Sequence, residues 1–109
     1  MLEAVVGSTN AERVLLFMAA REQGYAAEIA KTYGVGASMI QKQLDRMERD
    51  GLLVNQPVGR TRMYSFNPRF TLTKEVKALA LAALDKYPAE FQEKLTMVRK
   101  RPRKARKVL

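Results

Sequence analysis

The stretch "EIAKTYGVGASMIQKQLDRMERDGLL", residues 28–53, leaves this chain little freedom in how it folds. Two helical patterns flank a three-residue break, "GVG". Ile29, Ala30 and Tyr33 share one face of the first pattern. Ile40, Leu44 and Met47 make an i, i+4, i+7 stripe on the second. Ala30 is small enough to let the two helices cross closely. Gly34, four residues on, can take the positive φ that ends the first helix. Val35 then fills the angle between them, and Gly51 supplies the C′ position after the second helix. A pair of short helices joined by a tight turn is the expected unit.

The flanks extend it. Upstream, "GSTNAERVLLFMAARE" reads as a helix with Ser8, Thr9 or Asn10 as cap and Glu12 in its first turn. Val14, Leu15, Phe17 and Met18 give it an apolar face, and Gly24 is expected to end it. Downstream, "LLVNQP" and "RMYSF" are two extended stretches joined around Gly59, a hairpin signature. Tyr64 and Phe66 share a strand face and are expected to pack against the helices. Thr73 opens a further helix whose body, "ALALAAL" (78–84), is apolar on every face. Pro88 breaks it, and "AEFQEKLTMVRK" forms a last helix.

Helix, short helix, tight turn, helix and hairpin is the order of a winged helix-turn-helix domain. The spacing Ala30, Gly34, Val35, Ile40, Leu44, the "DGLL" that follows and the hairpin "GRTRMYSFNP" resemble the ArsR-like winged-helix regulators of bacteria and archaea over roughly residues 10 to 68. The resemblance implies a mainly α fold with a small β-hairpin and C-terminal helices, and a sequence-specific transcriptional regulator, more often a repressor in this group. Metal-sensing members use Cys, His or carboxylate clusters. This chain has neither Cys nor His, so no metal or cofactor site carries over.

Composition narrows the chemistry. The 109 residues suit one compact domain. Without Cys or His there is no disulfide framework, no thiolate or imidazole catalysis, and no Cys/His zinc site. No phosphate-cradling glycine loop or carboxylate motif is visible, so an enzyme is not expected. The absence of a long apolar run and of a leader pattern makes a cytoplasmic protein without a membrane span the expectation. The net charge of +9 favours polyanionic partners. It is concentrated: "RKRPRKARK", residues 99–107, holds seven basic residues and no acid, which leaves 13 basic and 11 acidic residues over 1–98.

If Ile40, Leu44 and Met47 face the core, then Ala37, Ser38, Gln41, Lys42 and Asp45 project outward. Small residues at the start of that helix, expected over residues 37–50, allow close entry into a major groove. Ser38, Gln41 and Lys42 then address base edges and phosphates, and Gln43 reaches a phosphate from further round. Asp45 belongs at the groove edge or paired with Arg49 at i+4. Met39 is expected to pack. The tip residues Arg60, Thr61 and Arg62 suit backbone or minor-groove contact, although charged hairpin tips also keep edge strands from pairing.

In the tail, Arg99, Lys100, Arg101, Arg103 and Lys104 are expected to follow the DNA backbone. Tethering to RNA or a membrane, or a disordered solubilising end, are the other readings. The chain thus divides into a winged helix-turn-helix over 1–72, dimerisation helices over 73–98 and a basic tail over 99–109. In the helix after Thr73, Val76, Leu79, Ala80, Ala83, Leu84 and Tyr87 form one stripe, with Leu81 and Ala82 on the other side. A small core covers only one such face, so a homodimer on an inverted-repeat DNA site is expected. The rival for that second face is the segment around "FQEKLTMV" folding back. The competing function is a protein-interaction module whose basic tail holds nucleic acid nonspecifically.

Overall fold

The structure is a computed structural model that describes residues 1–96; the basic residues Arg99, Lys100, Arg101, Arg103 and Lys104 lie outside the described residues. A short helix, α1 (Glu3–Val6), leads into α2 (Thr9–Arg21). Of the three possible caps, Ser8 is the one used, its Oγ accepting from the Ala11 amide at 3.0 Å. Helix α2 is the hub. Val14, Leu16, Phe17 and Met18 are fully buried, because α3, α4, α5 and a strand all pack around it.

Gly24 does not end α2. The helix stops at Arg21, and Glu22 takes the left-handed conformation, with φ 74° and its amide bonded to the Met18 carbonyl. Gly24 instead belongs to β1 (Gln23–Gly24), where it sits opposite Tyr64. A Cβ at this position would lie 2.4 Å from Cε1 of buried Phe17, so glycine is required by the close approach of strand to ring.

Helices α3 (Ala26–Tyr33) and α4 (Ala37–Arg49) form the crossed pair that the residue spacing implies. Gly34 has φ +70°, and the Val35 amide returns to the Ala30 carbonyl at 3.0 Å. Val35 is half-buried against the core. The stripe Ile40, Leu44 and Met47 is buried, and Gly51, at φ +91°, ends the unit, with the Leu52 amide on the Met47 carbonyl.

Strands β2 (Leu53–Val58) and β3 (Thr61–Phe66) pair antiparallel from Leu53–Phe66 to Val58–Thr61, and the sheet order is β1-β3-β2. Tyr64 is buried and Phe66 packs partly against the same core. Asn67 closes the hairpin by donating from Nδ2 to the Gly51 carbonyl at 2.9 Å. These elements make a winged helix-turn-helix.

Helix α5 (Thr73–Asp85) lies on α2. Ala80, Ala83 and Leu84 are buried and Val76 is half-buried, but Leu79, expected in the same stripe, is 42% exposed, as is Leu81. The chain reverses near Pro88, and residues 89–96 are helical. That segment folds back toward α2 and α3. Phe91 stacks on Tyr87 at 4.4 Å and tilts against Tyr33, Leu95 is fully buried, and Arg21 bonds the Leu95 and Lys94 carbonyls. The fold-back therefore leaves Leu79 and Leu81 uncovered. Glu12, expected in the first turn of the helix, is buried, accepting from the Tyr87 hydroxyl and the Met1 ammonium.

Candidate nucleic-acid interface

Helix α4 presents its amino end without a side-chain cap, because its N-cap residue is Gly36. Ala37, Ser38 and Lys42 are exposed beside that end, and Lys42 has no ion-pair partner among the described residues. A small, uncovered helix end carrying an unneutralised lysine attracts negative charge.

The hairpin tip follows from its turn. Val58 pairs with Thr61, so Gly59 and Arg60 are the two loop residues. Only Gly59 has positive φ, +64°, the requirement of a type II′ turn for its first central residue. Arg60 is thereby held at the apex, exposed and without an ion-pair partner among the described residues. Arg62, one pair back along the hairpin, is exposed, and its interaction with the Tyr64 hydroxyl raises its already high pKa further.

Between α4 and the hairpin runs a cleft of about 450 Å³, lined by Gln41 and Asp45 on one wall and Arg60, Thr61 and Arg62 on the other. Tyr25, Ala26 and Ala27, the first turn of α3, form its third wall. These three were not singled out from sequence. The signal was present, since the small Ala26 and Ala27 open a helix that starts beside the wing strands.

The structure brings Gln41, Arg60, Thr61 and Arg62 together at the cleft, and Ala37, Ser38 and Lys42 are exposed on α4. Gln43 and Met39 behave differently from expectation, while Asp45 takes the cleft-edge alternative. Gln43 sits half-buried on the opposite flank of α4, where its Oε1 accepts from Arg46 Nε at 3.2 Å and Nη2 at 3.1 Å. Asp45 does not pair with Arg49, which lies against Asp50 at 3.4 Å. It accepts instead from Gln41 Nε2 at 2.8 Å. Met39 is 53% exposed rather than packed, because it lies on the solvent side of α4, across from Ile40 and Leu44. Glu48 is engaged by the Asn55 amide, which ties the end of α4 to β2.

The described residues contain no group of three or more Asp, Glu, His or Cys side chains placed to hold a metal ion, and no helix long and apolar enough to cross a membrane.

The fold and this exposed basic side define a winged helix-turn-helix protein. Solved structures with the same arrangement are transcriptional regulators. A predicted DNA-binding transcriptional regulator from E. coli is 25% identical with a TM-score of 0.57, covering 79% of this chain and 84% of that one. Reduced HlyU from Vibrio cholerae superposes with a TM-score of 0.60 at 20% identity over the same shares, 79% and 84%. BldR from Sulfolobus solfataricus gives 0.56 at 18% identity, covering 92% of this chain and 79% of that one. No protein-family model and no curated protein matches the sequence.

Proposed function

We propose that this protein is a sequence-specific DNA-binding transcriptional regulator, acting as a homodimer on an inverted repeat. The single observation that carries the reading is the cleft geometry. An uncapped helix end with small residues stands beside a hairpin whose apex holds an arginine with no ion-pair partner among the described residues. Helix α4 enters the major groove, with Ser38, Gln41 and Lys42 toward base edges and phosphates. Arg60, Thr61 and Arg62 lie along the backbone or in the adjacent minor groove. Gln43, bonded to Arg46 on the other flank of α4, is left out of the docking face.

The E. coli neighbour is itself described as DNA-binding, which supports the same assignment. Residues 1–72 then form the DNA-binding unit and 73–98 the dimerisation helices. The tail basic residues, at 99–107, add backbone contacts that strengthen binding and steepen its salt dependence. A regulator of this kind works in the cytoplasm, where its DNA is.

The test separates readout from positioning. Gln41→Ala is expected to relax base preference at one pair, by about 1–3 kcal/mol for a bidentate contact and by less for a single hydrogen bond, measured over a set of single-base operator variants. Arg60→Ala is expected to weaken all sequences alike and to lower the salt slope by about 1. Unchanged preference at every position in Gln41→Ala would show that α4 docks through another face.

A further inference from the structure

The side chain assigned to read a base is not free to choose how it reads it. Gln41 Nε2 donates to Asp45 Oδ1 at 2.8 Å and to the Tyr64 hydroxyl at 3.0 Å. Asp45 is an acceptor only, so the amide must turn its NH2 toward it; the flipped amide would set oxygen against oxygen. Both amide hydrogens are then committed inside the protein. Oε1, the remaining polar atom, receives no hydrogen bond from the described residues.

The two partners are themselves fixed. The ring of Tyr64 is buried in the core, which fixes the position of its hydroxyl. Asp45 lies one turn along α4 from Gln41, at i+4. Wing and helix thus meet at one amide.

Resting on the docking proposed above, we infer that Tyr64 and Asp45 are specificity-determining positioning residues that hold Gln41 as a hydrogen-bond acceptor, so that it selects an amino-bearing base, adenine or cytosine, over guanine or thymine. The major-groove edges of adenine and cytosine each offer one donor, N6–H2 or N4–H2, which a lone carbonyl oxygen accepts equally. The bidentate adenine contact usual for glutamine needs an N–H for N7 as well. Here none is left. Guanine O6 and N7 and thymine O4 present only acceptors to Oε1 and are rejected.

The experiment compares bases at the Gln41 pair, using the full chain and DNA selected from a random pool. Wild type is expected to accept adenine and cytosine within about twofold of each other and to disfavour guanine and thymine, because one lone acceptor meets one donor in either case. Tyr64→Phe keeps the ring and frees one N–H, so cytosine should fall about fivefold or more relative to adenine as the bidentate contact becomes available. Asp45→Ala frees the other N–H and should shift preference the same way, which keeps the test open if Tyr64→Phe folds poorly. Asp45→Asn, whose amide oxygen still accepts, should retain the wild-type pattern.

A base profile in Tyr64→Phe and Asp45→Ala identical to that of wild type would overturn the inference. Gln41→Ala separates the two levels. If it flattens one position while the other variants change nothing, the docking stands and the latch falls. If it changes no position, both fall.

Discussion

Leu81→Glu is expected to convert the protein from a dimer to a monomer at micromolar concentration. Leu81 and Leu79 are each 42% exposed on the side of α5 turned away from the core, with the exposed alanines Ala78 and Ala82 between and beside them. Among the described residues, 89–96 do not cover this face, since Phe91 and Leu95 are spent on Tyr33, Tyr87 and the α2–α3 side. In the proposed dimer, two copies related by a two-fold axis would bury the same leucines against each other, the small alanines allowing close helix approach. A carboxylate at position 81 would be desolvated there opposite its own symmetry mate, which neither copy can offset.

The monomer itself tolerates the change, because position 81 faces water in the single chain. Sedimentation should therefore show half the mass with the unfolding midpoint of the isolated chain little altered. On DNA, losing the second half-site removes the avidity of paired binding, roughly 10²- to 10⁴-fold. Wild-type protein that sediments as a clean monomer, with and without operator DNA, would contradict the dimer.

Leu44→Ala is expected to be the most destabilising truncation in α4. Leu44 is fully buried at the joint where α4 meets α2 and α3, flanked one turn either way by Ile40 and Met47. Both neighbours are anchored, Ile40 in the core and Met47 beneath the Leu52 turn, so the helices cannot close over the lost volume. The cost is about 2–5 kcal/mol. At about 4–8 °C per kcal/mol for a domain near this size, the unfolding midpoint should fall by about 8 °C or more. A midpoint equal to that of wild type would place Leu44 outside the core.

The crossed helices and the hairpin are legible in the sequence because their signals are local and periodic. The Ile40–Leu44–Met47 stripe, the two positive-φ glycines around it and the Gly59 turn each need only a few neighbouring residues to be recognised. What was not legible depends on partners far along the chain. Strand β1 is two residues long and has no period of its own; it exists because Gly24 finds Tyr64, 40 positions later. Gly24 looks like a helix stop for the same reason, while the actual left-handed residue is Glu22, a position with no glycine to mark it.

The burial of Glu12 and Arg21 has no local signal in the sequence. They are buried because Tyr87 and residues 94–95 return to meet them. At the interface, Ser38, Lys42 and Arg60 follow from helix and turn geometry alone. The i+4 rule offers Asp45 to Arg49 as readily as to Gln41, and only the position of Tyr64 on β3 decides between them.

Selection of bound sequences from random DNA by the full chain, at near-physiological salt, tests the central claim most directly. An inverted repeat with half-site centres about 10 base pairs apart, one turn of the duplex, is the result expected of two α4 helices related by a two-fold axis. Retention of DNA with no enriched sequence, at an affinity that vanishes with moderate salt, would contradict it and assign the binding to nonspecific attraction by the basic tail.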